Sequence, residues 1–228
     1  MKNKSGQPMM RPQARIEWLE DGQPENQYDM KFVNPRTMVF PSIPPLKNIL
    51  PLPPALRDER FNVRAVTRGD FDFLMNLYVA SRWQEVAPLI DWTDAQKISF
   101  LESQFGMQHM NYLKSHPKGD FMIIERENQP LARLYLDYKE TEIQLCEVMV
   151  APVAQRRGLG SWLIRAVQEE GYRLNKTIRL HVETQNRAYT LYKGLGFQEI
   201  SATDMYITMV WQPAELPTVV LKGAKGSS

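Results

Sequence analysis

At 228 residues with 43% hydrophobic side chains, the chain can build one domain with a sizeable core, and it has length left for an appendage. A formal net charge of +2 argues against a dedicated nucleic-acid binder, and a single cysteine excludes an internal disulfide framework, which suits a reducing compartment. No apolar run approaches the roughly 18 residues that span a membrane and no apolar core follows the N-terminal lysines, so the default expectation is a cytoplasmic protein with no membrane partner.

Ten of the sixteen prolines fall within the first 54 residues, which disfavours continuous helix or central strand there. Residues 1–57 read as a Pro-rich N-terminal arm, loose over about the first 30 residues. From 31 to 57 the arm becomes apolar, with Phe32, Met38, Phe40, Ile43, Leu46, Leu50 and Leu52. Such a stretch is expected to lie extended on the domain or on the partner subunit of a homodimer. The domain itself is expected over 58–213, followed by a loose tail at 214–228.

Within the domain, Phe61–Thr67 reads as a first strand, and Gly69-Asp70 opens a helix to about Arg82. Thr93 or Asp94 caps a longer helix to about Leu113, with apolar positions at Ile98, Leu101, Phe105, Met110 and Leu113. Phe121–Glu127, Leu131–Tyr138 and Ile143–Val150 then form three strands with short links, an antiparallel meander. Phe197–Ile200 and Met205–Trp211 close the sheet. No zinc-ligand cluster is visible, since His109, His116 and His181 lack metal spacing, and no metal is expected.

The chemistry concentrates after the third meander strand. Leu145–Val150 is a short apolar run ended by Pro152, and from Leu159 the apolar positions Leu159, Trp162, Leu163, Ala166 and Val167 keep helical spacing on one face. Gly171 and Asn175 suit the exit. That helix therefore begins at Gly158–Gly160. Its first N–H groups have no partner within the helix, and the dipole adds partial positive charge. Small glycines admit a phosphate, and Arg156 and Arg157 add full charges at the same place. The lysine and serine or threonine of a nucleoside-triphosphate loop are missing, as is three-glycine dinucleotide spacing. A glycine-rich strand-to-helix turn with incidental arginines is the simpler alternative.

A second stretch, Asn186 to Phe197, adds to the first. Gln155, Gly158 and Gly160, followed by Ala188, Leu191, Tyr192, Gly196 and Phe197 at matching spacing, resemble the signature of the GNAT superfamily of acyl-CoA-dependent N-acyltransferases. Asn186 departs from that pattern: it lies one residue closer to Ala188, and Gln185 holds the formal position. The resemblance runs over roughly residues 61–212.

This resemblance implies an α/β (α+β) fold with a GNAT-like mixed, mostly antiparallel sheet flanked by helices on both faces. It implies acetyl-CoA (coenzyme A) as co-substrate and transfer of acetyl to a primary amine by direct attack on the thioester. The acceptor would be a small molecule or a protein. Backbone groups of Val148, Met149 and Val150 would meet the pantetheine arm. The loop formed by Gln155, Arg156, Arg157, Gly158, Leu159, Gly160 and Ser161 would hold the pyrophosphate. Asn186 would contact pantetheine, or simply cap the next helix. Tyr192 matches the family's usual general acid, protonated at neutral pH and able to protonate the leaving thiolate. An N–H of the Glu147–Val150 strand would stabilise the oxyanion.

Glu147 interrupts an apolar strand, where a lone carboxylate is costly to bury and burial raises its pKa, as suits a general base. An ion pair with Arg133 or Arg179 is the structural alternative. Arg179, His181 and Glu183 share one face of the following strand, so His181, Glu183 or water are competing bases. Cys146 is expected to be an inert thiol facing away from Glu147. Trp83, Trp92, Gln108, His109, Tyr112 and Tyr135 are candidates for acceptor contact. Two further functions fit the same pattern: a non-catalytic acyl-CoA sensor or scaffold, and an enzyme that modifies a protein or aminoacyl-tRNA.

Overall fold

The structure is a computed structural model and describes residues 32–52, 54, 56 and 59–213. The expectations of a loose start over the first 30 residues and a loose tail after 213 lie outside the described residues. The chain divides into two compact units, Met1–Ser42 with Gly69–Ser115, and Ile43–Arg68 with His116–Ser228.

The first unit holds helix α1 (Phe71–Val86), helix α2 (Asp94–Ser115) and a 3-10 turn at Pro35–Thr37. Helix α1 runs about a turn further than its apolar spacing suggests. Helix α2 starts on a capping box: the Gln96 N–H donates to Thr93 Oγ1 at 3.3 Å, and the Thr93 N–H donates to Gln96 Oε1 at 2.8 Å. The apolar residues of the arm settle here by aromatic contact. Phe32 lies against Trp92 and Phe100, and Phe40 lies against Phe71 and His109. At Gly106 a Cβ would come 2.7 Å from both Pro35 Cβ and Met38 Sδ, so the bare backbone there is what lets the turn approach the helix.

The second unit is built on a seven-stranded sheet in the order β1-β2-β3-β4-β5-β7-β6. The strands are β1 (Phe61–Ala65), β2 (Asp120–Arg126), β3 (Gln129–Tyr138), β4 (Glu142–Val150), β5 (Thr177–Glu183), β6 (Gln198–Ala202) and β7 (Tyr206–Trp211). The β2–β3–β4 meander is antiparallel, as its short links require. Among the described residues only β4 and β5 pair in parallel, joined by helix α3 (Leu159–Leu174). A short helix α4 (Ala188–Gly194) joins β5 to β6.

Alternate residues of β2, β3 and β4, namely Met122 and Ile124, Leu134 and Leu136, and Ile143 and Leu145, meet Leu163, Ile164 and Val167 of α3 in one apolar core. Leu50, Leu52 and Leu56 complete that core from the Pro-rich stretch. A buried aspartate fixes this stretch in place. Asp120, 1% exposed, accepts the Lys47 N–H at 2.7 Å, the Asn48 N–H at 3.0 Å and the Asn48 amide at 3.0 Å. Charge-assisted bonds of this kind are the strong ones, and losing them strands buried donors. Asp120→Ala is expected to destabilise the protein by about 3 kcal/mol, read as a lower urea midpoint at unchanged slope. A midpoint within about 0.5 kcal/mol of the parent would show that the segment is held by its leucines alone.

Candidate active site

Strand β4 changes partners half-way. Its ladder with β5 runs from Glu142↔Thr177 to Leu145↔Leu180, and among the described residues it stops there. Strand β4 continues to Val150 against β3, while β5 continues to Glu183 against β7. The two strands therefore diverge from Cys146 onward, and the β5 side of residues 146–150 is an open backbone edge. Such an edge offers N–H and C=O groups to an extended ligand.

Beyond Val150 the chain turns through Pro152–Ala154 into α3. Gln155 ties this turn down, its side-chain amide donating to the Val150 carbonyl at 2.8 Å. Arg156 and Gly158 both take left-handed backbone, with φ of 59° and 81°. Gly158 is the N-cap of α3 and provides no side-chain cap, so the first-turn N–H groups look outward from the helix end. A Cβ on Gly160 would touch only Leu191 and Val150, at 3.9 and 4.0 Å. The charge of the helix end and the two arginines still favours an anion at this turn.

The two residues expected to move protons lie within electrostatic reach of each other. Tyr192 is 7% exposed on α4, and its ring lies 5.7 Å from that of Phe197. Burial first, and then the Glu147 carboxylate, push its phenol well above the usual tyrosine range. Glu147 is not a lone carboxylate: of the two arginines that the sequence offers as ion-pair partners it takes Arg133, accepting from its Nη2 at 3.0 Å. The Arg133 side chain is 0% exposed and lies over the Tyr135 ring at 5.4 Å. Arg179 is engaged elsewhere, with Glu142 at 2.8 Å. Asn186 caps the entry to α4, its Oδ1 accepting the Ala188 N–H at 2.9 Å. Tyr189 is held by Glu199, to which its hydroxyl donates.

Residues 117–199 match the family model described as "Acetyltransferase (GNAT) domain". The chain contains a GNAT acetyltransferase domain. Among solved structures, the N-acetyltransferase PaiA of Thermoplasma acidophilum, in complex with coenzyme A, aligns at a TM-score of 0.52 and 14% identity, over 67% of this chain and 98% of its own. PH1933 of Pyrococcus horikoshii aligns at 0.51 and 16% identity, over 67% of this chain and 98% of its own. At such identities these likenesses show the fold, a mixed GNAT-like sheet with four α-helices fully delimited among the described residues. No curated protein matches the chain by sequence.

Several of the other candidate residues have defined surroundings. His181 is largely exposed on β5 with Nδ1 3.0 Å from Thr208 Oγ1, and the partial desolvation of its ring, followed by the Arg179 charge, lowers its pKa. Tyr135 is buried under Phe121, with ring centroids 4.6 Å apart, and in the first unit His109 stacks on Phe105 while Trp92 packs on Phe100. The structure thus gives three of the acceptor-contact candidates packing partners.

A larger surprise is a bulge in β4. Tyr135 pairs with Glu147 but Leu136 pairs with Leu145, which leaves Cys146 as the extra residue. Cys146 and Glu147 consequently both lie on the face that carries Arg133, Tyr135 and Asp137, and the expected opposition of the two is corrected. Cys146 Sγ lies 3.6 Å from His116 Nε2 and 3.6 Å from the Gln144 carbonyl oxygen, and His116 Nδ1 lies 2.9 Å from Asp137 Oδ2. Burial above all, with Asp137 next, pushes the thiol up to about 12, so it is protonated at neutral pH. Neither His116 nor Asp137 stands out by spacing. The bulge does leave a sequence signal. The apolar positions run Ile143, Leu145, then Val148, Val150, a slip of one in the alternation. Among the described residues no group of His, Cys, Asp and Glu could hold a metal ion, and no helix is long and apolar enough to cross a membrane.

Proposed function

We propose that the chain transfers an acetyl group from acetyl-CoA to a primary amine by direct attack of the amine on the thioester. The observation that carries this reading is the open β4 edge from Cys146 to Val150, flanked by the N-terminus of α3 and by the Tyr192–Glu147 pair. Pantetheine extends along the free edge, where Val148, Met149 and Val150 supply backbone groups, and Asn186 lies at the entry to the facing helix. The pyrophosphate takes the N–H groups from Arg156 to Ser161 together with the two arginine charges. A phosphate-bearing thioester matches this fit, and coenzyme A is the ligand in the Thermoplasma structure.

Glu147 then takes the amine proton, directly or through water, from a position fixed by Arg133. A backbone N–H of the Glu147–Val150 segment receives the developing oxyanion. Tyr192, protonated well past neutrality, gives its proton to the departing thiolate. Incubation with isotopically labelled acetyl-CoA in a cell extract, followed by mass spectrometry, is expected to place label on primary amines together with release of CoA. Binding of CoA without release in any extract would instead favour a non-catalytic sensor.

The loop assignment has its own test. At φ of 81°, any side chain on Gly158 costs about 1–2 kcal/mol, and its Cβ would stand 3.6 Å from the Trp162 ring. Gly158→Val is expected to weaken CoA binding about tenfold or more, an effect of about 1.4 kcal/mol. Gly160→Ala, for which there is room, is expected to do much less. Calorimetry with CoA compares the two. Unaltered affinity in Gly158→Val would remove the turn from the phosphate site.

A further inference from the structure

We propose that Cys146 is an acylation site: a thioester bound along the β4 edge passes its acyl group to Cys146 Sγ, with His116 as general base and Asp137 as the residue that orients the imidazole. This rests on the reading of the β4 edge as the acyl-CoA site.

Three observations meet at one point of the fold. Cys146 is the extra residue of the β4 bulge, and it is also the first residue of β4 past the end of the β5 ladder. The bulge turns its side chain onto the face where His116 waits, with Nε2 3.6 Å from Sγ. Behind the imidazole, Asp137 Oδ2 lies 2.9 Å from Nδ1. In the tautomer that donates Nδ1–H to Asp137, Nε2 is the acceptor nitrogen and faces the thiol. Nucleophile, base and orienting carboxylate therefore stand in the order that activates a thiol for acyl transfer. All three side chains are partly shielded, at 22% exposure for His116 and 19% for Asp137.

The step balances without a redox partner. As Sγ bonds to the thioester carbonyl carbon, the thiol proton passes to His116 Nε2. The tetrahedral oxyanion collapses, the bond from carbonyl carbon to CoA sulfur breaks, and the departing thiolate takes the proton from His116. One thioester is exchanged for another, so the free-energy change is small and the transfer runs both ways. Occupancy of Cys146 then follows the ratio of acyl-CoA to free CoA. Direct transfer to an amine needs no such adduct, and the two routes draw on the same bound thioester. A thiol that is protonated at rest makes the site selective, since it is unlocked only when His116 acts as base on a bound electrophile, and free alkylating agents react slowly.

The test uses the full chain, acetyl-CoA and intact-mass spectrometry. A single acetyl adduct is expected without any amine present, mapped to Cys146 by peptide analysis, and reversed when excess CoA is added. Cys146→Ala should abolish it while CoA still binds by calorimetry, which shows that the variant is folded. His116→Gln should slow loading about a hundredfold. Asp137→Asn should slow it with CoA affinity unchanged, and Asp137→Glu should restore it in part, which a purely structural role would not. CoA binding with no adduct on Cys146 overturns the acylation site and leaves the acetyltransferase reading standing. No CoA binding at all overturns both.

Discussion

Tyr192→Phe is expected to lower kcat for amine acetylation about a hundredfold or more, with CoA affinity and folding little changed. The phenol of Tyr192 is buried on α4. Its ring fills part of the core and leans on Phe197, and phenylalanine keeps that packing. Only the hydroxyl is lost, and a single hydrogen-bonding group of this kind contributes about 1 kcal/mol to stability. The catalytic loss is larger because the hydroxyl is a protonated donor within electrostatic reach of Glu147. Burial and the Glu147 charge both disfavour the phenolate, so this group keeps its proton at pH values where free tyrosine, near 10, would lose it. An acid that is always protonated also makes a pH prediction: the parent enzyme should show no alkaline fall in kcat from this group below about pH 10. Rate measurements across pH on both proteins check this. A Tyr192→Phe enzyme with unchanged kcat would take the phenol out of the reaction.

How much of this was legible beforehand depends on the length scale of the signal. The start of α3 is local: a glycine with left-handed backbone, a fixed apolar spacing and an Asn175 exit all lie within about 20 residues, and the structure has the helix where they place it. The same holds for the meander and for the cap of α2, which Thr93 supplies of the two residues the sequence offers. Contacts that join distant segments were not legible. Asp120 holds Lys47 and Asn48 across more than 70 residues, and nothing in the Pro-rich stretch names its anchor. The bulge at Cys146 is an intermediate case. It is encoded locally, as the slip from Leu145 to Val148, yet a single slip is easily taken for ordinary variation in a largely apolar strand. Its consequence is not local: it turns Cys146 toward His116, 30 residues away, and brings Glu147 onto Arg133. The fold was accordingly readable from spacing and resemblance, whereas the pairing of charges at the site required the register.

That pairing leads to the largest expected effect on stability. Arg133 and Glu147 are unequally buried, at 0% and 16% side-chain exposure. Removing the carboxylate leaves a guanidinium fully away from water without its counter-charge at 3.0 Å, whereas removing the arginine leaves a carboxylate that still reaches solvent. Glu147→Leu is therefore expected to destabilise by about 3–5 kcal/mol, and Arg133→Met by clearly less. The double variant should recover most of the loss, since a buried ion pair replaced by apolar groups of similar volume is close to neutral. Urea midpoints of the three variants give the order, and Arg133→Met as the worse single change would contradict it. The double variant also separates the two roles of Glu147. If the carboxylate only neutralises Arg133, a protein that needs no neutralising should turn over normally. If it takes the amine proton, the recovered protein should remain folded, bind CoA, and still acetylate amines about a hundredfold more slowly. The second result is the one expected, because Glu147 lies within electrostatic reach of Tyr192, the proposed acid of the same reaction.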